Sequence, residues 1–292
     1  YGRYSDELYI LSSIRTGKKK GKRRMEKRKK QIEKLTNLLQ FERQIVGVRF
    51  IYDKEDFEAC PAQRILYSLP YCMMVKAATA GHNIKATAEN IGCFAAARVL
   101  GMTEVTESYK SGEDYMGFGM FDNQKVSKKV CDNISINERT PYGVELGPYA
   151  EMGKDPDVVI IVTVPYNAMR LIQGYNYYNG TYNNYKMGGL QAMCAEITAY
   201  TYVSQNINTS MMCAGTRFLS KWGRDEMAVG LPFSKFDETV EGVFHTADPL
   251  ERDGDKQRIL DSFSESDQEA PDLHMGQNYD TNYYKVGKSG II

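Results

Sequence analysis

Residues 157–164 read Asp-Val-Val-Ile-Ile-Val-Thr-Val between Pro156 and Pro165. An apolar run this short, rich in β-branched residues and stopped by proline at both ends, is a buried strand. A strand with no polar face has to be covered on both sides. This one segment therefore demands a layered fold with a sheet in the middle. Pro165 suits the first turn of a following helix, predicted to reach about residue 178, and Asn179-Gly180 reads as a turn.

The rest of the chain supplies the layers. Residues 45–52, Ile-Val-Gly-Val-Arg-Phe-Ile-Tyr, read as a second strand, with shorter ones at 142–146 and 227–231. Helices are predicted at 70–80, closed by Gly81, and at 88–100, capped by Thr87 and ended by Gly101. Two more are predicted at 191–204 and from the cap Ser234 to 243. Residues 110–140, with Gly112, Gly117 and Gly119, read as a mobile loop. Strands and helices alternate, which predicts an α/β fold: a mixed sheet with flanking helices, a basic N-terminal helical arm and an irregular C-terminal tail. No run reaches about 18 apolar residues, so no membrane-spanning helix is predicted. The sequence opens at Tyr1 without methionine and shows no secretory n- and h-regions, so a fragment start and a cytoplasmic location are expected.

The 292 residues carry 37 basic and 37 acidic side chains, but the zero net charge hides a gradient. The net is +9 over residues 1–44, −4 over 45–244 and −5 over 245–292. The expected organisation is a basic arm (1–30), an α/β domain (31–244) and an acidic, Tyr-rich tail (245–292). Between Lys18 and Lys30 only Gly21, Met25 and Glu26 interrupt the basic block. Such a block serves as a contact for nucleic acid or an anionic membrane, or as a solvated helix face leading into Ile32, Leu35, Leu38 and Leu39. No aromatic platform is interleaved with it, so the second reading is preferred and nucleic acid is not an expected partner. Arm and tail have opposite sign, which gives the chain a route to a homo-oligomer.

Six cysteines carry the chemical signal: Cys60, Cys72, Cys93, Cys131, Cys194 and Cys213. Disulfides are the weaker expectation in a reducing compartment, and the absence of C-x-x-C excludes a local zinc knuckle. Cys72 and Cys93 are separated by 20 residues, Cys194 and Cys213 by 18. Cys194 falls in the first turn of its predicted helix, where the dipole favours thiolate. Cys213 precedes Ala214-Gly215, where the backbone can turn closely around a bound group. Four thiolates suit a [4Fe–4S] cluster or a structural zinc, and a buried cysteine is equally a small core residue.

Several stretches resemble domain-of-unknown-function family 169, a widespread prokaryotic family. They are Val-Gly-Val-Arg-Phe at 46–50, Pro-Tyr-Cys at 70–72, Thr-Ala-Glu-Asn-Ile-Gly-Cys at 87–93 with 95–101, Tyr-Gly-Val at 142–144 and Pro-Asp-Val-Val-Ile at 156–160. The match continues with Asn-Ala-Met-Arg-Leu-Ile-Gln at 167–173, Cys-Ala-Glu at 194–196, Cys-Ala-Gly-Thr-Arg at 213–217 and Asp-Glu-Met-Ala-Val-Gly-Leu-Pro at 225–232. In order, they cover roughly residues 27–243. The resemblance favours Cys72, Cys93, Cys194 and Cys213 as one set, because all four lie inside its motifs. The family pattern has Cys-Pro-Gly at the second cysteine and Pro-Cys-Ser-Gly-Asp-Arg at the fourth. Here Phe94 follows Cys93, and Thr216 stands where the pattern has Asp.

Arg170, one turn past Asn167 after the central strand, is placed where open α/β sheets bind ligands, and could fork a carboxylate or form a surface ion pair. Arg217 could bind an anion or tie backbone carbonyls. Glu89, four residues before Cys93 on a predicted helical face, is a candidate proton donor or a dipole partner. His82, His245 and His274 share no ligand spacing. There is no G-x-G-x-x-G, P-loop or G-x-S-x-G. The Tyr-rich stretch 175–185 reads as a packed surface or subunit interface. The expected function is that of an iron–sulfur enzyme doing redox or Lewis-acid chemistry on a small anionic substrate, with an electron-donor protein as an expected partner. In it Cys72, Cys93, Cys194 and Cys213 hold the cluster, Asn167, Arg170 and Arg217 position the substrate, and Glu89 moves a proton. The alternative is a non-enzymatic binding module with structural zinc or no metal, using the basic arm on nucleic acid.

Overall fold

The computed structural model describes residues 25–247. The first 24 residues of the basic arm, and the expected tail from residue 248 onward, lie outside the described residues.

Seven strands form one sheet: β1 (Val46–Ile51), β2 (Gln63–Arg64), β3 (Ile84–Ala86), β4 (Gly143–Pro148), β5 (Val158–Thr163), β6 (Asn208–Ser210) and β7 (Met227–Pro232). Their order across the sheet is β2-β3-β4-β1-β5-β7-β6. β2 and β3 pair in parallel and every other pair is antiparallel. β5 lies inside the sheet and splits its apolar run as the sequence demands. Val158, Ile160 and Val162 enter one core, while Val159 and Ile161 enter the other.

Helices cover both faces. They are α1 (25–39), α2 (Lys54–Ala59), α3 (Tyr71–Thr79), α4 (Phe94–Val99), α5 (Glu107–Lys110), α6 (Glu113–Met116), α7 (Gln124–Cys131), α8 (Pro165–Asn179), α9 (Tyr200–Ser204), α10 (Ala214–Ser220) and α11 (Phe233–Ala247). A π-helical segment, Ala192–Ala199, leads into α9. The first face carries α3, α4 and the π segment through Met74, Val75, Ala96, Ala97, Ala195 and Ile197. The second carries α1, α8 and α11 through Leu35, Leu39, Ala168, Leu171, Phe236 and Val240. On that face α8 and α11 cross at Gly174 and Gly242.

The basic block ends inside α1, where two of its charges, Lys27 and Arg28, are paired. Arg28 is buried, donates to the Met152 carbonyl at 3.1 Å, pairs with Asp155 and lies over the rings of Tyr149 and Phe233. Lys27 pairs with Asp237 at 2.9 Å.

Three local expectations change. The predicted helix over 88–100 is broken. Thr87 and Asn90 cap each other around a 3-10 turn, Ala88–Asn90; Ile91 then bridges to Leu69, and α4 starts afresh after Cys93. Gly101 ends it at φ +79°, as expected. Residues 110–140 are not a loop, because α5, α6 and α7 close on a small core of Tyr109, Tyr115 and Cys131. Gly112, at φ +83°, is the N-cap that lets α6 begin there. Finally, α11 begins at Phe233, so Ser234 lies inside it and points its hydroxyl at Gln205. Among the described residues no helix is long and apolar enough to cross a membrane.

Candidate cysteine site

The four cysteines of the motif set all sit at or near the starts of elements on the first face. Cys72 is the second residue of α3, Cys93 caps α4, Cys213 caps α10 and Cys194 is the third residue of the π segment. Cys72, Cys93 and Cys213 are half-buried; Cys194 is buried. Burial is the main cause that pushes the Cys194 thiol well above its ordinary value, and Cys93, Cys213 and Cys72 push it further. Burial also raises Cys72; the Ser220 hydroxyl opposes this, and Cys213 and Cys93 add to it. Charges screened by protein and water interact this way only at short range. Cys194 lies in the first core and Cys72, Cys93 and Cys213 pack against it, so four thiols up to 141 positions apart in sequence share one neighbourhood. Cys60 and Cys131 belong to separate small cores.

The expectation of a dipole-favoured thiolate at Cys194 is overturned by this burial. Its Sγ instead donates to the Gln191 carbonyl at 3.6 Å. Backbone strain marks the same places. Gln191, the N-cap of the π segment, has φ +54°, and Met212, immediately before Cys213, has φ +65°. Neither is glycine, and such residues concentrate at functional sites, as π segments do. Around Cys213 the contacts are specific: the Thr216 amide donates to Sγ at 3.3 Å and the Thr216 hydroxyl lies 3.1 Å from it. Cys213 Sγ is the cap of α10, and the Thr216 hydroxyl adds a contact to it from the position where the family pattern carries Asp.

The side chains do not close on a single ion. Among the described residues no group of three or more His, Cys, Asp or Glu side chains stands where it could hold one. A tetrahedral zinc with bonds of 2.3 Å draws its sulfurs to about 3.8 Å from one another, which is the arrangement missing here. An iron–sulfur cluster spreads its ligand sulfurs around a wider core.

The other predicted residues fall elsewhere. Asn167 is buried on the second face, where its amide donates to the Leu39 carbonyl at 2.7 Å and to Thr163 at 2.9 Å, tying α8 to α1. Arg170 lies on the same helix, bonded to Tyr166 at 3.0 Å and to the Thr246 carbonyl at 3.4 Å. The sheet separates both from the cysteines. The crevice rule that suggested them applies to parallel sheets, and this one is mostly antiparallel. Arg217 takes its structural reading, forking to the carbonyls of Met211 and Glu226 at 2.9 Å each and to that of Gly223. Glu89 is exposed and pairs with Arg64 at 3.2 Å. The break after Asn90 puts it on a different element from Cys93.

Glu196, two residues past Cys194, is a buried anchor. Its carboxylate accepts from the Gly188 and Gly189 amides at 2.7 and 3.0 Å and from Ser210, holding the 188–189 turn against the π segment. Burial raises its pKa, with those hydrogen bonds opposing. A cleft of about 530 Å³, lined by Gly101, Glu104, Ile134, Ile136 and Glu138, opens beside the α5–α7 insert; no cysteine lines it.

A family model described as "Uncharacterised ArCR", domain-of-unknown-function family 169, matches residues 34–242. The chain belongs to this family. An uncharacterized protein of Methanocaldococcus jannaschii is 25% identical over 219 residues, covering 73% of this chain and 92% of the relative. No solved structure matches. The family 169 match takes in all seven strands and all four clustered cysteines, while the first turns of α1, with Arg28, precede it.

Proposed function

We propose that this family 169 chain is an iron–sulfur protein in which Cys72, Cys93, Cys194 and Cys213 hold a [4Fe–4S] cluster, and that it acts on a small anionic substrate by redox or Lewis-acid chemistry. The observation that carries the reading is the shared neighbourhood of the four thiols, in which Cys93, Cys213 and Cys72 each raise the cost of ionising Cys194. Cys194 and Cys72 are dearer to ionise because of their thiol neighbours, and such a group is poorly suited as a set of isolated core residues. A polynuclear cation relieves that mutual repulsion by taking the thiols as thiolates, with release of their protons. The strained residues Gln191 and Met212 and the π segment support a functional rather than a packing role.

The test is anaerobic purification with iron and acid-labile sulfide analysis. The expected protein is brown and carries iron and sulfide. Cys72→Ala and Cys194→Ala lose both, whereas Cys60→Ala and Cys131→Ala keep them. A colourless anaerobic preparation without iron, still colourless after reconstitution with iron and sulfide, overturns the reading.

A further inference from the structure

Helix α10 reverses the usual choice of inward residues. Its buried side chains are Thr216 and Ser220, 3% and 4% exposed, while Phe218 is 81% and Leu219 46% exposed. Burial of apolar area alone would favour the opposite arrangement. Thr216 and Ser220 stand four positions apart, so their hydroxyls share one helical face. That face meets sulfur. The Thr216 amide donates to Cys213 Sγ at 3.3 Å, and the Thr216 hydroxyl lies 3.1 Å from the same atom. Against the burial that raises Cys72, the Ser220 and Thr216 hydroxyls ease its ionisation, so both stand beside its sulfur. With Cys72 as a neutral thiol the Ser220 hydroxyl makes no hydrogen bond, so nothing competes for it. A further contact holds the face in place. Lys76, one turn past Cys72 on α3, donates to the Ser220 and Lys221 carbonyls at 2.6 and 2.9 Å. It satisfies the carbonyl end of α10 and ties that helix to the one that carries Cys72.

We propose that Thr216 and Ser220 are positioning residues that donate hydrogen bonds to the sulfurs of Cys213 and Cys72, and that they raise the reduction potential of the cluster those sulfurs hold. The inference rests on the proposed function for the cluster, but not for the two donors. A thiolate only accepts, so the hydroxyls donate to it. Each hydrogen bond draws negative charge off a ligand sulfur. The reduced cluster carries one more negative charge than the oxidised one and gains more from the donors, so the potential rises. Lys76 acts through Ser220, fixing α10 against α3 so that one helix serves both sulfurs.

Thr216→Val and Ser220→Ala each remove one hydroxyl, and Thr216→Ser restores it at the first position. Redox titration of the iron–sulfide-reconstituted full chain is expected to give a lower midpoint potential in Thr216→Val and in Ser220→Ala at equal iron content, and the wild-type value in Thr216→Ser. A second arm uses the metal-free chain. Alkylation by iodoacetamide at one fixed pH, resolved by peptide mass spectrometry, is expected to slow about tenfold at Cys72 in Ser220→Ala and at Cys213 in Thr216→Val, because the reacting sulfur loses a donor. Mere loosening of the packing would speed these reactions instead. Circular dichroism checks that each variant folds. Alkylation as fast as wild type or faster in both folded variants overturns the proposal, as does a potential unmoved in both loaded variants. A wild type that takes up no iron overturns the cluster alone, and the alkylation rates then decide the two donors.

Discussion

Gly174 and Gly242 touch backbone to backbone where α8 crosses α11: a Cβ on Gly242 would stand 2.0 Å from the Gly174 carbonyl oxygen. No side chain fits that gap, so the two helices must separate to admit one. Gly242→Ala is expected to destabilise the protein by about 1–3 kcal/mol or more, read as a lower denaturant midpoint. Gly153→Ala, with open space around its Cβ position, is the control and leaves the midpoint unchanged.

Arg49 and Glu145 lie opposite each other on β1 and β4, both buried, with Nε donating to the carboxylate at 2.8 Å. Arg49 Nη1 also reaches Asp56 at 2.7 Å. Glu145→Ala leaves a guanidinium short of a partner inside the sheet layer. The expected loss is about 3–5 kcal/mol in urea unfolding, against little for the exposed Lys27–Asp237 pair. Equal losses for the two pairs would contradict this account.

Glu196 gives a pH dependence with a definite sign. Burial raises its folded-state pKa above the ordinary 4.5, so the folded chain holds the proton more tightly than the unfolded one. Its contribution is greatest at low pH and is lost as pH rises from the ordinary value through the raised one. Glu196→Gln removes that slope while keeping an oxygen for the Gly188 and Gly189 amides. Unfolding midpoints of variant and wild type across this range, compared as a difference, should diverge progressively; a constant offset counts against it.

The Cys194 thiol should be slow. Being buried and held protonated, it is expected to react with iodoacetamide far more slowly in the metal-free folded chain than in the urea-unfolded chain. Its folded-state rate should still be climbing above pH 9, the ordinary thiol value. Peptide mass spectrometry resolves the six cysteines, and a rate matching the unfolded chain would refute this.

Arginine substitutions separate the two faces. Arg170→Ala acts across the sheet from the cysteines and should leave iron uptake unchanged. Arg217→Ala frees three carbonyls next to α10 and should loosen the Cys213 segment, lowering both stability and iron retention. Equal iron uptake in the two variants would remove Arg217 from the support of the site.

The strong periodic segments were legible. Seven β-branched residues between two prolines can only be the strand that became β5, and Thr87 and Gly101 mark their boundaries by capping chemistry. β2, β3 and β6, two or three residues each, exist only through their neighbours and leave no periodic trace. Gly112 misled because positive φ serves a helix N-cap as well as a loop. The cysteine set was legible as residues but not as an environment, since burial of Cys194 depends on α3, α4 and α10 arriving together. Ser220 escaped notice for the same reason: only the packing of α10 on α3 brings it to Cys72.

Arg28 carries a practical consequence for anyone cutting this protein. It closes over Tyr149 and Phe233 and ties α1 to Met152 and Asp155, yet it stands six positions before the family match begins. A clone trimmed to the borders of the family match would discard the latch that seals one side of the sheet. Truncation should stop short of Met25.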